Sequence, residues 1–405
     1  MKSQESESND ALGPLPAPRD FSLVLGGPLF QLLRRARLSD DGLMLVRRRM
    51  VIISLLAWLP LLVLSALEGQ ALGGSDSVAF LRDIEVHVRL LVAMPLLIAA
   101  EMVVHVRMRP MVKLFLDRGL IPQSAMARFE AAIASAFRLR NSVLAEVLMI
   151  ALVYGVGVLI LWRQYLAIDA ATWYATRSDG RTELSLAGMW YAYVSMPLFQ
   201  FLLVRWYFRI FIWVRFLWQV SRIELQLVPT HPDQFGGLGF LSSMAYAFAP
   251  LALALGAMLA GLLASRIFFL GAEFAAFKSE IAILVVFNLC VVICPLLVFS
   301  TQLAQAKRAG ILEYGTQSAR YLRQGDAASP VGDALADEPS AAGADDPSLA
   351  SAAANYSAVQ AMRIMPVTRE TVMQLILATL APIAPLALTM MPLADMVKTL
   401  LGVLF

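Results

Sequence analysis

The chain has 405 residues, of which 59% are hydrophobic and only 16% are charged, and its formal net charge is +3. A soluble globular domain averages about 45–50% apolar and about 25% charged residues. The composition therefore excludes a soluble or a disordered protein. Several apolar runs reach about 18 residues, the length that a helix needs to cross a bilayer, so the sequence predicts a polytopic membrane protein.

Six apolar runs predict membrane-spanning helices. In chain order they lie near Val51–Leu67, Leu90–Val106, Val143–Leu161, Met189–Trp213, Phe248–Leu270 and Ile281–Phe299. Runs of this length can satisfy their backbone hydrogen bonds within lipid only as helices. The predicted fold is therefore an all-α, polytopic transmembrane helical bundle.

The C-terminal apolar region, residues 371–405, allows two interpretations because three prolines interrupt it. Thr371–Met391 is long enough to cross as a seventh helix kinked at Pro382 and Pro385, followed after Pro392 by a helix along the outer interface. The alternative is a re-entrant hairpin that breaks at the prolines and lines a pore. We favour the crossing helix, since a bundle would leave the polar face after Pro392 without a role.

Arginine and lysine residues predict the orientation. They gather before the first predicted span, between the second and third, after the fourth and after the sixth, whereas the other connections hold few. Because basic residues are retained in the cytoplasm, this pattern places the N-terminus inside the cell. We expect no signal peptide, since residues 1–45 contain no short apolar core with a cleavage site.

Composition divides the chain into four parts. They are a cytoplasmic N-terminal segment (1–49), a six-span bundle with cytoplasmic helical extensions (50–304), a cytoplasmic linker (305–370) and the C-terminal span with its interfacial helix (371–405). Within the linker, residues 325–354 are rich in Ala, Asp, Ser, Gly and Pro and include no basic residue. Such a segment cannot bury a core, so we predict a disordered acidic tether rather than a binding tail.

Two helices are predicted to extend beyond the spans on the cytoplasmic side. A helix that restarts at Gln123 is expected to run unbroken into the third span. The fourth helix is expected to continue to about Val228, where Pro229 stops it. At the other side, Trp162, Trp173, Trp190 and Tyr191 flank the ends of the third and fourth spans and predict an aromatic belt at the lipid headgroups rather than core packing.

Five ionisable side chains fall at similar depth within the second to fourth predicted spans: Glu101, His105, Glu146, Arg205 and Arg209. Each costs at least a few kcal/mol in lipid unless it is paired or hydrated, so all should face the bundle. They form either two Arg–Glu pairs that join the spans or a polar vestibule, open to the cytoplasm, for an anion or a proton. In both cases we predict that Arg205 or Arg209 lies within salt-bridge reach of Glu101 or Glu146.

The connection between the fourth and fifth predicted spans contains the string LVPTHPDQFGGLGFL, residues 227–241. His231 and Asp233 have the chemistry of an acid–base couple, and Gly236, Gly237 and Gly239 permit a backbone turn that binds an anion. The alternative is a structural turn capped by the aspartate. Both interpretations are open on the sequence.

A metal site is conceivable because His105, Glu101, His231 and Asp233 come from the same side of the bundle. No metal-binding spacing supports it, and no nucleotide loop or nucleophile accompanies these residues, so we expect no cofactor and no metal. In the fifth predicted span, Ala252, Gly256, Ala260 and Ala264 recur every four residues. This stripe of small residues predicts a close neighbouring helix.

Two strings of the sequence resemble motifs of an uncharacterised bacterial family of multi-pass inner-membrane proteins. One is the loop pattern HPDxxGGLGFL, present here as HPDQFGGLGFL, and the other is the C-terminal string that begins YSAVQAMRIMPVTRETVMQLILATL. The resemblance implies a bacterial inner-membrane setting. It implies no activity or substrate.

Three functions fit these observations. The first is a transport or channel-type protein with a cytoplasm-facing polar vestibule. The second is a non-transporting scaffold or regulatory subunit that docks a membrane or cytoplasmic protein. The third, a membrane enzyme that uses His231 and Asp233 on a lipid-type substrate, ranks last, so an enzyme is not the expected outcome. The expected partners are the lipid bilayer, a protein partner and a second copy of the chain, with no nucleic acid.

Overall fold

The structure is a computed structural model that describes residues 23–24, 26, 45–72, 79–161, 172–178, 181–328 and 347–389. These residues are helical apart from turns, short loops and one antiparallel hairpin, Ala175–Ser178 paired with Arg181–Leu184. Five described helices are long and apolar enough to cross a membrane, and a bent helix pair makes a sixth. The predicted all-α bundle is confirmed, and the chain is a multi-pass membrane protein.

The six spans are, in chain order, Val46–Leu67, Ile84–Asp117, the bent pair Gln123–Arg140 and Val143–Gly157, Leu186–Val220, Phe240–Leu270 and Phe274–Arg320. The α-helices themselves are Val46–Leu67, Ile84–His87, Met94–Met108, Met111–Asp117, Met126–Arg140, Val143–Leu152, Leu186–Trp190, Met196–Val220, Phe240–Ala245, Ala249–Leu270, Lys278–Ile293, Ser300–Ala328, Pro347–Ala361, Arg369–Leu380 and Ala384–Thr389. Wider π-helical turns join them at Val88–Ala93, Val153–Leu161 and Tyr191–Ser195. Tighter 3₁₀ turns lie at Phe80–Arg82, Gln123–Ala125, Tyr246–Phe248, Phe274–Phe277 and Cys294–Phe299.

The fifth span lies at the centre of the bundle and is buried along most of its length, whereas the first and sixth spans leave most of theirs exposed. The end of the bundle that carries residues 221–239 is called the loop end below. The opposite end, which carries the β-hairpin, is called the hairpin end. Exposed apolar side chains such as Leu56 and Val63 are what helices present to lipid.

The two C-terminal helices, Arg369–Leu380 and Ala384–Thr389, follow the fifth span from the loop end towards the hairpin end. The Thr371 hydroxyl lies 3.0 Å from that of Ser242, near the start of the fifth span. Ile383 and Leu386 join a buried apolar cluster with Ile267 near the other end of that span.

Up to residue 389 this path is that of a helix that crosses beside the fifth span. The return of the chain in the alternative, the re-entrant hairpin, falls on residues 390–405, outside the described part. The path is interrupted at residues 381–383, next to Pro382, as expected for a residue without a backbone N–H. The predicted interfacial helix after Pro392 lies outside the described residues.

The helix predicted to run unbroken into the third span is broken, and this prediction is wrong. The two halves of the pair meet at a bend of 47° between Arg140 and Val143. Ser142 caps the second half, because its hydroxyl accepts a hydrogen bond from the Ala145 N–H at 3.2 Å. A serine in this position favours the start of a new helix over continuation of the old one.

The fourth span ends at Val220 rather than at the predicted Val228. The Gln302 side-chain amide, from the sixth span, donates hydrogen bonds of 2.7 Å to the carbonyls of Ser221 and Ile223. These carbonyls are satisfied from another helix, so the chain leaves the helical path before it reaches the proline.

Part of the predicted disordered linker is a helix. Pro347–Ala361 packs against Ser300–Ala328 as a helical hairpin and buries Ala352. The disorder predicted for residues 325–354 is therefore wrong at both ends, while residues 329–346 lie outside the described part. The cause is the alanine-rich sequence, which has high helix propensity and allows two helices to approach closely.

The predicted aromatic belt is wrong for two of its members. Trp173 is completely buried at the hairpin end, where its indole N–H donates to Asp83 Oδ2 at 2.9 Å. Its ring lies 5.0 Å from that of Phe80 and 5.3 Å from that of Tyr191, which is also buried. These rings close the hairpin end of the bundle instead of facing lipid headgroups. Trp162 lies outside the described residues.

Candidate functional site

Four ionisable side chains from three spans meet inside the bundle and are called the charge cluster below. They are Arg49 of the first span, Glu101 of the second, and Arg205 and Arg209 of the fourth. Each side chain is at most 8% exposed. Arg205 and Arg209 share a helix face because they are four residues apart.

Glu101 is the centre of the charge cluster. Arg209 Nη1 lies 2.7 Å from Glu101 Oε1, and Arg205 Nη1 lies 3.9 Å from the same oxygen. Arg49 Nη2 donates to the second oxygen, Oε2. The predicted contact between an arginine of the fourth span and Glu101 is confirmed, and it ties the first, second and fourth spans together.

The other two residues of the predicted polar cluster lie around this centre. Glu146, half-buried on the third span, interacts electrostatically with Arg205. His105 is buried one helical turn from Glu101. The structure thus brings all five predicted residues into one region, and Glu101, Arg205 and Arg209 form ion pairs within it.

Arg49 was missed because it belongs to a run of arginines that precedes the predicted first span. The helix begins at Val46 instead, so Arg49 is part of it, and its neighbours Arg47 and Arg48 are exposed. A signal was present in the sequence. Arg49 falls on the same helical stripe as the buried residues Ala57 and Leu61, at multiples of a turn.

Among the described residues, the charge cluster is enclosed on the side of the loop end, and the predicted vestibule is not open there. On the fourth span, Trp213 and Phe216 follow Arg209 towards the loop end, and both are buried. The Trp213 ring lies 5.0 Å from that of Phe248, at the start of the fifth span, and the Phe216 ring lies 6.3 Å from that of Phe129. An aromatic layer therefore separates the charges from the loop end.

The second group of interest is the loop centred on Asp233. Asp233 Oδ1 accepts hydrogen bonds from the N–H groups of Phe235 at 2.8 Å and Gly237 at 3.1 Å. Its Oδ2 accepts from the Gly239 N–H at 2.9 Å and from Arg118 Nη1 at 2.9 Å. Both oxygens of this carboxylate are thus occupied by the fold, which supports the interpretation as a structural turn capped by the aspartate.

The backbone of the loop requires its glycines. Gly236 and Gly237 have φ of 61° and 99°, in the region that favours glycine. A Cβ on Gly239 would lie 3.0 Å from the Asp233 carboxylate. His231 Nδ1 lies 2.9 Å from Asp233 Oδ1, so the predicted couple is in contact, but the aspartate serves the turn at the same time.

The loop joins three other parts of the loop end. The Gln226 N–H donates to the carbonyl of Leu120, in the connection between the second and third spans, at 2.9 Å. The Arg363 N–H donates to the Gln234 carbonyl at 2.8 Å, just before the C-terminal helices. Gly310, on the helix that continues the sixth span, faces Pro229. The loop is therefore a junction on which the elements of this end are assembled.

The capped turn leads to a prediction on pH. Partial burial by itself would raise the pKa of Asp233, but the backbone N–H donors of Phe235, Gly239 and Gly237 outweigh it and hold the pKa below its ordinary value of 3.8. A carboxylate of this kind stabilises the fold above its unfolded-state pKa, and the contribution is lost as pH falls through the lower folded-state pKa. We therefore expect Asp233→Asn to lower the thermal unfolding temperature at pH 7, and the difference from the wild type to shrink below about pH 3.8. A difference that is the same at pH 3 and pH 7 would contradict the cap.

The two carboxylates of the conceivable metal site, Glu101 and Asp233, bind other groups of the protein. Glu101 binds three arginines, and Asp233 binds Arg118 and the loop backbone. Among the residues that the structure describes, no three His, Cys, Asp or Glu side chains are placed to hold a metal ion.

The charge cluster and the Asp233 loop are thus the two groups from which a function is inferred. Comparisons with protein-family models, with curated proteins and with solved structures find no match to this chain.

Proposed function

We propose that the protein is a transport or channel-type protein of the bacterial inner membrane that handles a small anion at the charge cluster. The observation that supports this is the unequal charge of the cluster. Three guanidinium groups surround the single carboxylate of Glu101, and the half-buried Glu146 offsets only part of the surplus. A joint that only holds helices together needs balanced pairs, because every uncompensated charge at membrane depth is costly.

The proposed orientation places the loop end in the cytoplasm. The basic residues of the first 49 residues and of the connections at this end support it, as does the resemblance of the HPDQFGGLGFL loop to bacterial inner-membrane proteins. Single cysteines introduced at Arg222 and at Glu183, in a chain that lacks Cys290 and Cys294, can be labelled from either side of a vesicle. If the cysteine at Arg222 reacted only from outside the cell, the proposed orientation would be wrong.

The aromatic layer bears on the transport mode. Trp213, Phe216 and Phe248 cover the cluster on the side of the loop end. An anion reaches the cluster from the cytoplasm only when these rings move apart, since a buried apolar layer excludes hydrated ions. This supports a gated path rather than a permanently open pore.

The test is anion efflux from proteoliposomes. Arg209→Gln removes a charge and the 2.7 Å contact with Glu101, while Arg49 still neutralises that carboxylate. Hydrogen bonds to charged groups are worth about 1.5–3 kcal/mol, which corresponds to about a tenfold effect or more. We therefore expect chloride efflux above that of empty liposomes, and a fall of about tenfold in the Arg209→Gln variant.

The matched control is Arg215→Gln, an exposed arginine on the same span. Its efflux should equal that of the wild type. Equal efflux from the Arg209→Gln variant, in protein with a normal unfolding profile, would remove the charge cluster from the transport path. No efflux of chloride, bromide or nitrate from folded wild-type protein would contradict the proposal as a whole.

One observation favours a scaffold or regulatory subunit as the second candidate. The helical hairpin of Ser300–Ala328 and Pro347–Ala361 extends from the loop end, and Leu312 on it is 71% exposed. Ile311 beside it is also exposed, and adjacent exposed apolar residues are what a docking surface presents. The efflux assay separates the candidates, because a scaffold gives no anion flux in any variant.

A further inference from the structure

Three buried hydrogen-bond donors on the fourth span have no partner among the residues that the structure describes: Trp190 Nε1, Arg209 Nη2 and Trp213 Nε1. The last two belong to the charge cluster and to the helical turn next to it. Arg209 is 3% exposed and Trp213 is 1% exposed, so solvent outside the bundle does not satisfy them. Buried donors nearly always have a partner, and an unsatisfied donor on a charged group is especially costly.

Arg209 and Trp213 are four residues apart, so they are neighbours on one face of the helix. Trp206, on the adjacent turn, holds the guanidinium of Arg209 over its ring at 5.0 Å. Arg209 Nη1 is bound to Glu101. The second nitrogen of the fork is therefore fixed in position but has no acceptor among the described residues.

The neighbouring Trp206 differs from Trp213 in having a partner. Trp206 Nε1 is buried in the same way, yet it donates to the Leu97 carbonyl at 2.9 Å. One indole on this face thus has a protein acceptor, while the indole of Trp213 has none among the described residues. A negatively charged acceptor suits Trp213 and Arg209 better than a neutral one, because the cluster already has surplus positive charge.

We propose that a small monovalent inorganic anion, of the size of chloride or bromide, binds between Arg209 Nη2 and Trp213 Nε1. This inference rests on the proposed function and names the class of its substrate. Two N–H donors suit a halide, which accepts hydrogen bonds from any direction, whereas a phosphate would present more acceptor oxygens than these donors can satisfy. A lipid headgroup is excluded by the burial of both side chains.

The test measures halide binding by purified protein in detergent. Thermal unfolding is followed while chloride or bromide replaces gluconate at constant ionic strength, and the shift gives an apparent Kd because a ligand of the folded state raises the unfolding temperature. Trp213→Phe removes the N–H together with the five-membered ring that carries it, and keeps a six-membered ring against Phe248. We expect the unfolding temperature to rise with halide in the wild type, and the apparent Kd to increase about tenfold in this variant. The matched control is Trp218→Phe, which changes an exposed tryptophan on the same span and should leave the Kd unchanged.

The result that overturns the inference is a wild-type unfolding temperature that does not respond to halide, or a response of equal size in the Trp213→Phe variant. If that variant does not fold, Arg209→Lys gives the same decision, since lysine keeps the charge but loses the second arm of the fork. Failure of the two proposals is distinguishable. Halide binding without efflux would contradict the transport function but not the proposed halide site. Efflux that is unchanged in the Trp213→Phe variant would contradict the halide site but not the transport function.

Discussion

Glu101→Gln is expected to destabilise the protein by about 3–5 kcal/mol, because it leaves buried charges without their partner. The carboxylate receives Arg49 on one oxygen and Arg209 on the other, with Arg205 at 3.9 Å. A glutamine has the same shape but no charge. Its amide N–H₂ group would also face one of the two arginines, Arg49 or Arg209, which is itself a donor. The free energy of unfolding in a mild detergent, measured with denaturant or by heating, gives the effect.

The matched control for this substitution is Glu130→Gln, at an exposed position on the bent helix pair. Surface substitutions of this kind change stability by about 0.5 kcal/mol or less. If Glu101→Gln lowered the free energy of unfolding as little as the control does, the three arginines would have to be hydrated. The description of the charge cluster as enclosed would then be wrong. Arg205→Gln should lower the free energy of unfolding less than Arg209→Gln. Arg205 Nη1 lies 3.9 Å from Glu101 Oε1, whereas Arg209 Nη1 lies 2.7 Å from it.

Gly256→Ala is expected to destabilise the protein by about 1–3 kcal/mol, the usual result of overpacking. A Cβ on Gly256 would collide with the backbone carbonyl of Thr379, on the first C-terminal helix. A backbone atom cannot rotate away as a flexible side chain can, so the helix must move from the fifth span. This would also disturb the hydrogen bond of 3.2 Å from Asn288 to the Thr379 hydroxyl.

The control uses the same substitution at a glycine with open space around it. A Cβ on Gly155 has nothing within 4 Å, so Gly155→Ala should be neutral or slightly stabilising, since alanine is the better helix former. Thermal unfolding and protease cleavage near residue 365 report on both variants. Equal behaviour of the two would show that the C-terminal helix does not lie against the fifth span.

Several features of the fold were predictable because each depends on a constraint that acts on a single segment. The length of the apolar runs fixes the spans, since a helix must match the bilayer. The recurrence of small residues around Gly256 predicted a close helix, and the helix that carries Thr379 occupies that position. The cost of unpaired charge in lipid predicted the contact between Arg209 and Glu101, and it is confirmed.

The features that were not predictable depend on residues distant in sequence. The fourth span ends at Val220 because Gln302 takes the next free carbonyls, and nothing near Val220 indicates this. Trp173 is a residue type that is typical of an aromatic belt. It is buried instead, because Asp83 provides an acceptor for its indole N–H. Arg49 joins the cluster because the first helix starts before the apolar run begins.

The most direct test of the account is to locate bromide in crystals of the protein by its anomalous scattering. The charge cluster is proposed to bind a small anion at Arg209 Nη2 and Trp213 Nε1, which have no partner among the described residues. The account predicts an anomalous peak within hydrogen-bond distance of both nitrogens. Bromide found only beside exposed arginines such as Arg215, with both nitrogens bound to protein groups, would contradict it.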